Sequence, residues 1–343
     1  MFNFIFITGA GRCGTHLITG LLDGNNQVDA IPGEPTNFFG QVLNYNGLSQ
    51  NINLDLSGKI LSEIVTEVFA NDNDYKNIVE RVEKKISSFK EKNIKSLTAN
   101  DFLSSICQAI FIKENGTAVI NLQNENISCL IDAFPNCKVI HMLRNPLTQL
   151  NSRYLFRYRI PNNYKEGEFG KAFFRNYNSF TQAQLFENSK QVKIIRMEDL
   201  VNNTSETIKK ICSFLDITNL PINLKPSARG KIFKSTFNTI NIKTDKVLPL
   251  NQDWSSLSPN DLYYCSQIKV ARKFYDFPKY PKVKNNYIFF LIRHLGFYGK
   301  NRVKVYNPFR LFKLLLGSIY LFIQDTKFKN DFDTYLEQLN KNN

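Results

Sequence analysis

The residues best suited to chemistry stand near the start of the chain, in Gly9-Ala10-Gly11-Arg12-Cys13-Gly14-Thr15-His16. They follow a nearly continuous apolar run, Phe2 to Thr8, and precede Leu17, Ile18, Leu21 and Leu22 at helical spacing. A glycine turn between a buried strand and a helix presents backbone N–H groups where the helix dipole is positive, which makes a site for an oxyanion. Gly9 and Gly14 have the spacing of a Walker loop, but Thr15-His16 stands where that loop needs Lys-Ser/Thr. The basic side chain lies inside the turn, as Arg12, and no strand evidently ends in a magnesium-holding Asp. The pattern predicts an anion neutralised by Arg12, hydroxyls and backbone N–H groups, without a metal.

Several elements must position this loop. Residues 2–8 read as a strand buried on both faces, and Thr15–Leu22 as a helix stopped at Gly24. Between about 54 and 115 the periodicity is helical, with Ile60, Ile64 and Val65, then Ile78, Val82 and Ile86, then Phe102, Leu103, Ile106 and Ile110. Residues 118–122, 138–143 and 191–196 read as further strands. Helices are expected at 127–134, after Pro146 (one long helix rich in Arg and Tyr), at 205–215, and from Pro259 through Ala271. Residues 225–250 are polar, basic and poorly periodic, as in a long functional loop. Strands alternating with helices predict an α/β fold with a parallel sheet flanked by helices. The expected organisation is a main domain over 1–280, carrying a mainly helical insertion at about 54–115, and a basic amphipathic C-terminal extension over 281–343.

The 343 residues include 44 Lys plus Arg against 30 Asp plus Glu, a formal net charge of +14. With 43% hydrophobic and 22% charged residues the composition is globular, which excludes a disordered or collagenous chain. The excess charge is local: from Phe277 to Gln324 there is no acidic residue but nine basic ones, and without them the charge is +5. These cations alternate with Phe289-Phe290-Leu291-Ile292, Phe309, Phe312 and Leu314-Leu315-Leu316. Such a composition fits either a helix lying on an anionic membrane surface, through residues 279–324, or an extension packed on the domain or in a homo-oligomer. The absence of a helix-turn-helix or RNA-binding signature argues against nucleic acid. Six scattered cysteines without a C-x-x-C pair argue against a zinc knuckle or a disulfide framework. The N-terminus is apolar but lacks the basic region of a signal peptide, and no run of 18 apolar residues occurs. The expectation is a reduced, cytoplasmic protein, or one peripheral to the inner membrane face.

Three stretches together resemble the sulfotransferases that use 3′-phosphoadenosine-5′-phosphosulfate (PAPS). Residues 9–17 are similar to that family's 5′-phosphosulfate loop. Phe134-Pro135-Asn136-Cys137-Lys138 through Arg144-Asn145-Pro146 is similar to its second signature, a strand ending in Arg-Asp-Pro with a Ser eight residues after the Arg, here Ser152. Arg196-Met197-Glu198-Asp199-Leu200, followed by Phe214-Leu215, is similar to its third. The closest motif style is that of carbohydrate and tyrosylprotein sulfotransferases. The resemblance implies a P-loop-type fold, PAPS as donor without a metal, and sulfuryl transfer to a hydroxyl or amine of an acceptor, expected to be a saccharide or glycolipid. It further implies that Gly11, Arg12, Cys13, Gly14, Thr15 and His16 hold the 5′ side and that Arg144 and Ser152 hold the 3′-phosphate, with Arg153 and Arg157 as candidate additions. Arg229 and Lys231 fall where the family closes over its donor.

Transfer needs a base to take the acceptor's proton. Glu34, in Gly33-Glu34-Pro35 ahead of Phe38-Phe39, occupies a place similar to the family's catalytic glutamate, and His16 competes for the role. Apolar neighbours would favour a carboxylate with a raised pKa. Two departures stand out: Cys13 replaces the usual Ser or Thr, and Gln123-Asn124-Glu125 stands where many relatives have Lys-x-Pro, leaving Lys231 or Lys234 as substitute cations. Trp254 reads as core or as a wall of the nucleotide site. The rival readings are a P-loop kinase using Mg-ATP and a non-catalytic membrane- or polyanion-binding adaptor on the same fold.

Overall fold

In the computed structural model, the described residues are 2–31 (except 24), 52–53, 75–92, 96–122 (except 113), 126–158, 165–218, 226–228, 231–232, 254, 257, 259–266 and 268–277. The proposed C-terminal extension, Glu34 and much of the expected insertion lie outside them.

The core is a five-stranded parallel sheet in the order β2-β5-β1-β6-β7. Its strands are β1 (Phe2–Gly9), β2 (Asp29–Ala30), β5 (Gly116–Asn121), β6 (Lys138–Leu143) and β7 (Val192–Arg196). Two short antiparallel ladders lie apart from it: β3 (Ile52–Asn53) with β4 (Ser96–Leu97), and β8 (Ser227–Ala228) with β9 (Lys231–Ile232). The α/β fold expected from the sequence is the one observed.

Alternation along β1 explains its central place. Phe2, Phe4 and Phe6 enter one apolar cluster and Ile5 and Ile7 another, so the strand is covered on both faces. On the first face, Phe6 and Phe134 rings lie 4.9 Å apart, and helices α2 (Tyr75–Glu91), α3 (Ala99–Phe111) and α4 (Ile127–Ala133) add Ile78, Phe102 and Leu130. On the second, α1 (Thr15–Leu22) and α8 (Thr204–Leu215) contribute Ile18, Leu21, Ile208 and Ile211. Each large side chain buried in this way contributes about 1.5–3 kcal/mol.

A third cluster joins α5 (Pro146–Tyr158) and α6 (Lys165–Leu185) to α9 (Pro259–Ser266) and a 3₁₀ turn, Lys269–Lys273, through Leu147, Phe180, Cys265 and Ala271. Trp254 packs against this cluster. Helix α7 (Met197–Asn202) follows β7 directly. The single long helix expected after Pro146 is two helices, and the one expected to run to Ala271 ends at Ser266 before the 3₁₀ turn.

The chain leaves β1 toward β2 on one side, fills the gap with β5, and then crosses to β6 on the other. The carboxyl end of β1 is therefore the switch point of the sheet, where open α/β folds bind ligands. The glycine turn begins there. Among the described residues, no helix is long and apolar enough to cross a membrane.

Candidate active site

Three backbone positions give the turn its shape: Gly9, Arg12 and Gly14 have φ of 144°, 74° and 94°. Glycine is needed at both ends. A Cβ on Gly9 would meet the Met142 carbonyl and the Cys13 sulfur, and one on Gly14 would collide with the Met197 sulfur. Gly14 is also the N-cap of α1 and offers no capping side chain. The first-turn N–H groups of α1 are thus not taken by a cap, as an anion site at a helix N-terminus requires.

Much of the turn's carbonyl side is occupied from behind. The Ala10 carbonyl accepts from the Cys13 N–H at 3.2 Å, so that N–H, expected among the anion donors, closes the turn instead. The Gly11 carbonyl accepts from Gln149 Nε2 at 2.5 Å and from an Arg153 nitrogen at 3.3 Å. The Arg12 carbonyl accepts from Arg144 at 2.8 Å. Arg12 Nε in turn donates to Ser152 Oγ at 3.3 Å. The structure therefore brings together Arg12, Arg144 and Ser152, three residues expected from two separate motifs. Arg153, a candidate for the 3′-phosphate, is directed to the Gly11 carbonyl.

Arg144 is partly buried, and its Nε is shielded from solvent with no hydrogen-bond partner among the described residues. Burial lowers its pKa to about 10; Glu198 acts in the opposite direction, and Arg12 adds to the lowering. The guanidinium remains charged at neutral pH and holds an unused donor. A buried donor of this kind is costly unless a ligand satisfies it. The uncapped helix start and the unused Nε of this guanidinium both fit an anionic ligand.

The third motif braces the second. Glu198 accepts from the Asn145 N–H at 3.0 Å and from the Tyr275 hydroxyl at 2.7 Å. Arg196 grips Asp199 with two bonds, at 2.8 and 2.6 Å, and donates to the Phe274 carbonyl. The acidic pair is thus structural: Glu198 fixes the Arg144-Asn145-Pro146 turn and Asp199 holds the end of β7.

His16 stands half-buried in the first turn of α1, beside Thr15. Lys231 lies in β9, whose ladder is rooted where Ser227 Oγ donates to Asp23 at 2.5 Å and Pro226 packs on Gly20. The side chains of Arg229 and Lys231, like Glu34, Arg157 and Lys234, are outside the described residues. Gln149 and its partner Asn176 were not legible in the sequence, because neutral amides inside helices form no motif. Among the described residues, no group of three His, Cys, Asp or Glu could hold a metal ion.

The profile of the "Sulfotransferase family" matches residues 4–221, well over half of the chain. No curated protein matches. Among solved structures, the sulfotransferase domain of the Synechococcus PCC 7002 olefin synthase is similar, with 18% identity and a TM-score of 0.53 over 80% of this chain and 96% of that one. A sulfotransferase domain from the curacin biosynthetic pathway aligns at 16% identity and a TM-score of 0.49, over 81% of this chain and 99% of that one. At 18% identity, the likeness to the olefin synthase domain speaks for the fold alone.

Proposed function

This chain belongs to the sulfotransferase family and is an enzyme, and from that premise we propose that it moves a sulfuryl group from PAPS to a hydroxyl or amine of a saccharide or glycolipid. The observation that carries the donor assignment is the convergence of Arg12, Arg144 and Ser152 on the turn at the end of β1.

In this reading Arg12 and the first-turn N–H groups of α1 receive the 5′-phosphosulfate, with Thr15 and His16 beside them. Arg144 and Ser152 hold the 3′-phosphate, and Arg144 brings to it the donor left unused by the protein. Arg229 and Lys231 close over the nucleotide, and the ladder that includes Lys231 is rooted on α1. PAPS when bound supplies the sulfuryl group and a bisphosphate leaving group. Arg12 neutralises the charge of the transferred oxygens, which is the main demand of such a displacement. Glu34 takes the acceptor's proton. Its support is position: Ile31 extends β2, its N–H donating to Val119 at 2.9 Å, and Glu34 follows three residues later in the sequence. Residues 279–324, with nine cations among apolar side chains, bring the enzyme to an anionic membrane surface bearing a glycolipid acceptor.

The test is release of adenosine 3′,5′-bisphosphate from PAPS, with and without magnesium, across saccharide and glycolipid acceptors. Acceptor-dependent, metal-independent release is expected, with Glu34→Gln lowering kcat by about 10²–10⁴-fold while bisphosphate affinity holds. Magnesium-dependent ATP binding without response to the bisphosphate would sink the proposal in favour of a kinase.

A further inference from the structure

Arg12 keeps a left-handed backbone, which a non-glycine residue retains only where its surroundings over-determine it. Both peptide planes that define this conformation are held. The plane after Arg12 is fixed through its own carbonyl by Arg144 at 2.8 Å. The plane before it is fixed through the Gly11 carbonyl by Gln149 at 2.5 Å, with Arg153 farther away at 3.3 Å. Gln149 is fully buried in α5 and is itself held, because its Oε1 accepts from Asn176 Nδ2 on α6 at 2.5 Å. Asn176 is only 3% exposed.

We infer that Gln149 and Asn176 are positioning residues for the donor loop, a neutral relay from α6 through α5 that aims Arg12 at the 5′ anion. The inference rests on the donor assignment above. In a trans peptide the N–H lies opposite the C=O. Drawing the Gly11 carbonyl toward α5 therefore turns the Arg12 N–H away from α5 and sets where the Arg12 side chain departs. An amide suits this position. Arg12, Arg144 and Arg153 already crowd the turn with positive charge, and a fourth cation would raise the cost of each. Gln149 donates without charge, and Asn176 satisfies the acceptor that Gln149 would otherwise bury unpaired.

The relay acts on the 5′ side of the donor, so its loss should be felt by ligands that carry a 5′ anion and not by those that lack one. This is measured by calorimetry with adenosine 3′,5′-bisphosphate and with adenosine 3′-monophosphate, on wild type, Gln149→Met, Asn176→Leu, and each combined with Arg12→Ala. Wild type should prefer the bisphosphate. Gln149→Met should reduce that preference by about tenfold, leave the monophosphate unchanged, and add little once Arg12 is alanine. Asn176→Leu should act in the same direction but less, and it decides the matter alone if Gln149→Met does not fold. An unchanged preference in a cooperatively folded variant overturns the relay, as does equal loss of both ligands, which marks a general packing role. A wild type that binds neither nucleotide overturns the donor assignment itself, and the relay with it.

Discussion

One oxygen of Glu198 accepts the backbone N–H of Asn145 at 3.0 Å, which ties the first turn of α7 to the turn after β6. The other accepts the Tyr275 hydroxyl at 2.7 Å, so a residue near the end of the described chain closes over the same carboxylate. The Tyr275 phenol is pushed well above its ordinary pKa, by burial first and by the Glu198 charge second, and it remains a donor. Glu198 also opposes the desolvation of Arg144, the cation preceding that turn. A motif without reactive chemistry thus supports one that binds.

Replacing Glu198 with alanine leaves the Asn145 N–H and the Tyr275 hydroxyl without their acceptor. The expected loss is about 2–3 kcal/mol, read from the midpoint of urea unfolding at constant m-value. Glu198→Gln keeps a carbonyl oxygen for Asn145 and should cost less than half as much. Glu198→Ala should also weaken adenosine 3′,5′-bisphosphate binding, because the turn that carries Arg144 loses its anchor at the Asn145 N–H.

Gly14→Ala tests the turn itself. Alanine at φ 94° is strained, and its Cβ would displace the Met197 side chain. A loss of about 1–3 kcal/mol is expected in thermal or urea unfolding, together with weaker bisphosphate binding, since the first turn of α1 starts from this residue. Unchanged stability and affinity would show that the turn adapts to a side chain.

The parts of the fold legible in the sequence were those with a local signature. β1 announced itself as a nearly continuous apolar run, β6 spans the expected residues 138–143, and the glycine turn lies where its spacing put it. β2 was missed because two residues, Asp29 and Ala30, carry no period; tertiary pairing with Ala118 and Val119 makes them a strand. The break between α5 and α6, by contrast, had a local signal in Pro161-Asn162-Asn163, which the expectation of one long helix passed over. In the site, Arg12, Arg144 and Ser152 could be read from motifs and are brought together by the fold. Gln149 and Asn176 could not, because their role depends on two helices meeting behind a backbone carbonyl.

Ile112 ends α3 in the left-handed region, at φ 57° and ψ 40°, with 71% of its surface exposed. A β-branched residue is poorly suited to that conformation, and its side chain gains little from burial. Ile112→Gly keeps the N–H that donates to the Gln108 carbonyl at 3.0 Å and removes the clash. The variant should be more stable by about 0.5–1 kcal/mol, seen as a higher urea midpoint. A lower midpoint would mean that the isoleucine side chain contributes more by packing than its backbone costs.

His141 gives stability a pH dependence of defined sign. It is fully buried in β6, where its Nε2 lies 2.8 Å from the Ser179 carbonyl. That oxygen can only accept, so Nε2 carries the proton, and Nδ1 accepts from the Thr8 hydroxyl at 2.7 Å. Burial lowers the pKa from 6.5 to about 4, against the favourable bond to Ser179. Above pH 6.5 the ring is neutral whether the chain is folded or unfolded, and it contributes no slope. Between 6.5 and about 4 the unfolded chain binds a proton that the folded one refuses, so stability falls as pH falls and levels off below the folded value. The expected loss attributable to this residue is about 2 kcal/mol on going from pH 7 to pH 5. Urea unfolding at the two pH values, on wild type and on His141→Gln, isolates it from the carboxylates, which titrate in both proteins. The variant should start less stable at pH 7 and lose less by pH 5; equal losses in the two proteins would mean that the ring is not kept neutral by its burial.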